Sequence, residues 1–409
     1  MDRNNKNGNS RFNNEGSGRV RPNGSQNNNP EMRFGQKDVL RGATSRYRRR
    51  RVSRSGIAVI LCTVLFLSVI AASGWHISKR LIKEAAERLN YEEPTVFAPE
   101  DKTPPPELFD KINVDNSEAV KGDLILVNYE YPYVFPESEE HLLNIYNNKT
   151  ENYGVSYSNY LLDGDVLAIL NSVTGELYEK TGDKCVLIRS AYRSLADQQS
   201  IYDSYLNDPN YGEAYVNEYV ATPGYSEHHT GMAFDINICL ADGSYVLVRD
   251  YENLKTLSSI LVSNGFVQRY EEAKYPITKI KNEPWHYRYV GVPHSYVMTK
   301  EHFCLEEYIE YLHALSEGKI PEETENTQDY ENGTMLWLNA LGEIETCTED
   351  NLPVEGYLIY YVKKSEGAAT ELKIPKNAKS YTVSGDNAGG FIVTVTLSDL
   401  TLPELATLP

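Results

Sequence analysis

Residues 226–235 read Ser-Glu-His-His-Thr-Gly-Met-Ala-Phe-Asp, and residues 283–286 read Glu-Pro-Trp-His. These two stretches, with Tyr192-Arg193-Ser194 upstream, decide how the chain is read. A hydrolytic zinc site commonly takes three protein ligands from His, Asp, Glu and Cys and leaves a position for water. His228, Asp235 and His286 supply two imidazoles and one carboxylate. One anion offsets only half of a divalent charge, so the ion stays electrophilic and can bring the pKa of water toward neutrality. Glu283, three residues before His286, is the candidate base for that water. On a regular strand, residues three apart point to opposite faces. Glu283 and His286 therefore share a pocket only if the backbone leaves strand geometry between them. Pro284 has no N–H to give to a ladder, which predicts an irregular strand entrance there.

The two segments match the S-x-H-x-x-G-x-A-x-D and E-x-W-H signatures of VanY-type D-alanyl-D-alanine carboxypeptidases. The Tyr-Arg-Ser element, the lead-in Pro223-Gly224-Tyr225 and the run Arg288-Tyr289-Val290-Gly291 also resemble that family. The resemblance covers roughly residues 122–292. It implies an α+β fold, a small mainly antiparallel sheet with packed helices, similar to the amino-terminal hedgehog signalling domain. It implies one zinc ion on His228, Asp235 and His286, a catalytic Glu283, and an Arg193 that contacts the substrate carbonyl or carboxylate. Gln198 and Ser226 match positions expected near the substrate. The residue after the first ligand is often Gln in such sequences and is His229 here. That imidazole is open to three readings: structural or surface, substrate contact, or competitor for the metal.

The chemistry the resemblance implies is removal of the terminal D-alanine from peptidoglycan stem peptides. An L,D-carboxypeptidase acting on tetrapeptide stems would carry the same motifs. A catalytically silent, zinc-stabilised wall-binding module is a rival of a different class, but a structural zinc site needs neither Glu283 nor Arg193.

Working outward, a globular unit is expected over residues 122–316. The apolar runs 124–127 and 185–188 read as strands, as do 234–240, 245–248 and 286–290. Ser194 followed by Asp197 forms a capping-box pattern and predicts a helix over 195–206. Leu254, Leu257 and Leu261 line one helix face that should stop at Gly265. Residues 317–332 are acidic and polar and read as a linker. Alternating segments at 335–338, 357–362, 371–374, 380–383 and 391–397 predict a small β domain over 333–409. Cys185, Cys239, Cys304 and Cys347 either pair or remain buried thiols, and none is expected on the metal.

The N-terminal quarter differs in kind. Residues 1–55 hold 14 Lys/Arg and 4 Asp/Glu, a net of +10 in a chain whose total is −18. This tail has ten Asn in its first thirty residues and is expected to be disordered. Residues 56–74, GIAVILCTVLFLSVIAASG, carry no charge, and at about 1.5 Å per residue they approach the ~30 Å apolar core of a bilayer. Arg46, Arg48, Arg49, Arg50, Arg51 and Arg54 precede the span. By the positive-inside rule the tail is cytoplasmic and everything after Trp75 lies outside. A cleaved signal peptide, with a site near Ala71-Ala72-Ser73, is the alternative. Residues 75–121, with Pro104-Pro105-Pro106, read as a helical then extended stalk. The strongly acidic remainder and pI near 5.0 argue against nucleic acid as a partner.

Overall fold

The computed structural model describes residues 107–240, 242–319, 330–403 and 405. The basic tail (1–55), the expected membrane span (56–74), most of the expected stalk (75–106) and the middle of the expected linker (320–329) lie outside them. Among the described residues no helix is long and apolar enough to cross a membrane.

The described chain opens with strand β1 (Phe109–Asp115). A short antiparallel ladder then joins β2 (Leu142–Asn144) to β4 (Leu161–Asp163), with β3 (Gly154–Val155) between them in sequence. Helix α1 (Gly164–Thr181) follows directly. The Asp163 carboxylate caps it by accepting from the N–H groups of Asp165 and Val166, and Gly182 ends it in the left-handed conformation. Its buried face, Val166, Leu170, Val173 and Leu177, recurs at helical spacing and covers the main sheet.

That sheet has the order β3-β5-β6-β9-β8, formed by β3, β5 (Val186–Ser190), β6 (Ala233–Cys239), β9 (His286–Tyr289) and β8 (Phe266–Gln268), with β7 (Tyr245–Val246) also paired to β6. Only the β3–β5 pairing is parallel. The centre of β6 is buried on both faces, so its sequence runs apolar rather than alternating. Helix α2 (Leu195–Asn207) begins at the expected capping box, and α3 (Gly212–Tyr219) packs against it. Helix α4 (Leu254–Ser263) packs on α1. Gly265 follows it at φ +91, where an added Cβ would sit 2.7 Å from the Tyr289 ring.

Helices α5 (His294–Glu301) and α6 (Leu305–Ser316) lead to a second sheet of order β11-β10-β12-β15-β14. Its strands are β10 (Met335–Leu338), β11 (Ile344–Cys347), β12 (Tyr357–Lys363), β14 (Ser380–Gly385) and β15 (Gly390–Thr396). One face packs on the two helices: Leu336, Leu338, Ile359 and Ile392 meet Val297, Leu305, Tyr308 and Leu312. The other face is closed by a ribbon of β1 and β13 (Ala369–Pro375), through Ile112, Val114, Leu372 and Ile374. The four described cysteines are free thiols.

Two expectations are corrected. Residues 109–115, placed in the stalk, form a strand paired residue for residue with β13. The prolines just before it dominated the local reading, while its partner lies more than 250 residues away in sequence. Residues 124–127 are buried as expected but form no strand. They run as irregular chain between the two sheets. Their polar groups find partners there: Leu124 N–H donates to Ser384 Oγ, and Leu126 N–H to the Asp386 carbonyl.

Candidate metal centre and active site

The two motifs meet because their strands are neighbours. Asp235 on β6 pairs directly with His286, the first residue of β9. His228 arrives from a single 3-10 turn, Glu227–Thr230, which Gly231 ends at φ +72. A side chain at Gly231 would be strained by that backbone and would also come within 2.5 Å of Leu142, so the motif's glycine is required twice over. Pro284 and Trp285 form a turn in which His286 N–H donates to the Glu283 carbonyl at 3.0 Å. Glu283 is thus outside the strand. The turn lets its carboxylate reach the same pocket as His286, with 3.7 Å between Oε2 and Nδ1.

One nitrogen or oxygen from each of His228, Asp235 and His286 lies within 4.8 Å of the other two. Asp235 Oδ1 is 3.5 Å from His228 Nε2 and 3.1 Å from His286 Nδ1. It is buried with no hydrogen-bond partner in the structure. An orphaned carboxylate oxygen between two imidazole nitrogens is costly unless a cation joins the three, so the donor set fits a divalent ion of the zinc type. His228 Nδ1 is already committed to the Ala191 carbonyl at 2.7 Å, which leaves Nε2 for the metal.

The charges around the set act on one another at close range. Burial, reinforced by Arg193, lowers the His228 imidazole to about 4. Burial also opposes the charged forms of Asp235 and His286, but contacts within the set override it: His228 and then His286 hold Asp235 well below the usual carboxylate range, and Asp235, with Glu227 contributing, raises His286 to about 9. Glu283 behaves differently. Burial pushes its carboxyl up to about 7, with Asp235 adding to the rise and His286 and Arg193 opposing it.

These groups open on one cleft of about 490 Å³. Arg193, Ser226 and Glu283 line it beside the three ligand residues, and Tyr205, Tyr215 and Tyr219 form an aromatic wall from α2 and α3. A bulge in β5 between Ile188 and Ser190 turns Arg189 toward the same cleft.

A profile of the VanY family, described as D-alanyl-D-alanine carboxypeptidase, matches residues 176–292. The chain is 36% identical over 140 residues to a bifunctional D-Ala-D-Ala dipeptidase and carboxypeptidase, VanXYC of Enterococcus gallinarum, covering 33% of this chain and 73% of that protein. The chain belongs to the VanY D-alanyl-D-alanine carboxypeptidase family. A D-alanyl-D-alanine carboxypeptidase of Enterococcus faecium is 28% identical over 284 residues, 69% of this chain and 78% of that one. The solved structure of a vancomycin-resistance D,D-dipeptidase, VanXYg, bound to a D-Ala-D-Ala phosphinate analogue, superposes with a TM-score of 0.54. It is 30% identical and covers 71% of this chain and all of the other.

In this VanY-family chain Arg193 is held at three points. Its Nε donates to Ser190 Oγ, Nη1 to Gln198 Oε1 and Nη2 to Asp235 Oδ2, at 3.0, 3.0 and 3.1 Å. The expectation that Gln198 touches substrate is corrected here. Gln198 is fully buried, and its amide is used up between Arg193 and the Ala221 carbonyl. It anchors the arginine instead.

His229 is not among the residues facing the metal position. Its Nδ1–H donates to the Arg193 carbonyl at 2.7 Å, and its Nε2 accepts the Gly224 N–H at 3.0 Å. Tyr133 and Phe135 pack on the ring. The imidazole therefore ties the Arg193 loop to the Pro223-Gly224 turn. A glutamine offers the same pairing of one donor and one acceptor. His229→Gln is expected to keep activity within a few-fold, whereas His229→Leu should lower kcat/KM by at least tenfold by freeing the Arg193 loop. Steady-state assays on the two variants, alongside their melting curves, check this; equal activity would remove the bracing role.

Reading motifs from the sequence missed Glu227 and Arg269, and it gave no role to Arg288, which it quoted only as part of a family-like run. Glu227 lay inside the quoted stretch. Its signal was a charge wedged between a serine and a ligand in a segment that is otherwise buried.

Proposed function

We propose that this chain is a membrane-anchored, extracytoplasmic zinc metallopeptidase that removes the C-terminal D-alanine from peptidoglycan stem peptides. One observation carries the reading. Three ligand atoms converge beside a buried carboxylate and a fixed guanidinium in a single open cleft.

His228 Nε2, Asp235 Oδ1 and His286 Nδ1 would hold the ion. When bound, zinc supplies Lewis acidity, polarising the scissile carbonyl and making water a better acid. Glu283 accepts the proton of the attacking water, and its raised affinity for protons suits it to return that proton to the departing D-alanine amine. The oxygen of water ends on the new carboxyl carbon as the C–N bond breaks. Arg193 cannot swing away, because three hydrogen bonds fix it, so its charge stands ready for developing negative charge on the substrate. Ser226 lines the cleft, and on this reading it would touch the peptide.

Support for the anchor is the uncharged 19-residue stretch at 56–74 with its arginine-rich flank. On this reading the plasma membrane holds the N-terminus, the peptidase works outside the cell, and the stem peptides of the wall are its partners.

Mass spectrometry of synthetic stems incubated with the full-length protein tests the activity. Pentapeptide should lose one D-alanine, a chelator should stop the loss, and added zinc should restore it. Cleavage of tetrapeptide alone would reassign the enzyme as an L,D-carboxypeptidase.

A further inference from the structure

Beneath the site lies a cluster of four charged side chains that the mechanism above does not use. Glu227 is wholly buried. Its Oε1 accepts from Arg269 Nε at 2.8 Å and from Arg288 Nη1 at 3.0 Å. Arg269 then grips Glu306 on α6 with both terminal nitrogens, at 2.9 and 2.7 Å. Arg288 Nη2 donates to the carbonyls of Asp123 and Ile125. Two guanidiniums and two carboxylates balance, as a buried charge cluster must. Burial works against the Glu227 anion, yet the two arginines hold its carboxyl well below the usual range.

One atom of this cluster is left over. Glu227 Oε2 is buried without a hydrogen-bond partner, and so is His286 Nε2. The two lie 3.6 Å apart. An imidazole that gives Nδ1 to a metal has one N–H left, on Nε2, and a buried N–H is costly to leave without an acceptor. His228 meets the same need from the other side of its ring, with Nδ1 on the Ala191 carbonyl.

We propose that Glu227 is a positioning residue for the metal centre. Its Oε2 accepts from His286 Nε2 and so fixes which nitrogen of His286 faces the ion, while Arg269 and Glu306 fix Glu227. The network does not stop there. Glu306 also accepts from Asn128, and the chain at 123–127 that receives Arg288 is bound in turn by Ser384 and Asp386. The second sheet thereby braces a metal ligand through a continuous run of polar contacts.

This inference rests on the zinc reading, and its test separates the two. Zinc affinity of the full-length protein is measured by competition with a chromophoric chelator. Glu227→Gln should bind zinc roughly 10- to 100-fold more weakly, the usual effect of losing a carboxylate behind a ligating histidine. Glu306→Gln should lose less, because Arg288 still holds Glu227. Melting curves of the metal-free proteins control for folding. If Glu227→Gln does not fold, nitrogen-15 NMR of histidine-labelled parent protein decides. A protected Nε2–H on His286 with zinc on Nδ1 supports the proposal; the reverse assignment overturns it. Unchanged zinc affinity in a folded Glu227→Gln protein overturns this inference alone. A parent that binds no zinc ends both readings.

Discussion

Glu283→Gln is expected to retain zinc and to lose activity by a factor of roughly 10²–10⁴, the usual contribution of a positioned general base. Glutamine keeps the size and the hydrogen-bonding reach of glutamate but cannot take a proton. Glu283 is not one of the three converging ligand residues, so metal content should not change. The pH profile provides a second readout. Burial raises the Glu283 carboxyl, and the group must be ionised to act as a base. Activity of the parent should therefore fall as pH drops through a value well above the ~4.3 of an ordinary glutamate. Residual activity of the variant should lack that limb. Near-parental turnover of Glu283→Gln, with zinc confirmed by metal analysis, would remove the residue from its role.

Deletion of residues 333–409 is expected to unfold the peptidase rather than release a smaller active domain. The second sheet is not a separable appendage. Its removal would expose Leu124, Leu126, Val297, Leu305, Tyr308 and Leu312, all buried against it. Each fully buried side chain of this kind is worth about 1.5–3 kcal/mol, so the loss is of the same order as the whole 5–15 kcal/mol stability of a typical domain. Polar ties go as well. His294 spans from the Tyr308 hydroxyl to Thr394 Oγ1, and the backbone of 124–126 loses Ser384 and Asp386. Expression, solubility and cooperative melting of the truncated chain are the measurements. A truncated protein that melts as sharply and at the same temperature as the parent would show that the sheet is dispensable.

The local signals in the sequence were those whose causes are local. The α2 capping box is written in Ser194 and Asp197, three residues apart, and it forms as read. The α4 stop follows from Gly265, whose backbone needs a left-handed conformation. The ligand candidates were legible because two separate motifs, in the order that resembles the VanY family, combine residue types able to hold a metal, and the turn at Pro284 followed from its missing N–H.

What the sequence could not show depends on partners far away in the chain. β1 has no intrinsic reason to be a strand beyond its modest alternation; β13 makes it one. The run 124–127 is as apolar as a strand, but side chains and carbonyls from the second sheet satisfy its backbone, so no ladder forms. Gln198 carries an amide able to bind substrate, and only its depth and its two buried partners turn it into the anchor of Arg193. Glu227 looked like one more acid in an acidic chain. Its meaning came from two arginines more than forty residues away, brought together where no water competes for their charge. Residue types set in two ordered motifs determined which chemistry this protein can perform, because few side chains hold a metal or move a proton. Which of those side chains face the reaction and which hold the others still was decided by burial, which assigns each polar group its partner and is a property of the folded chain.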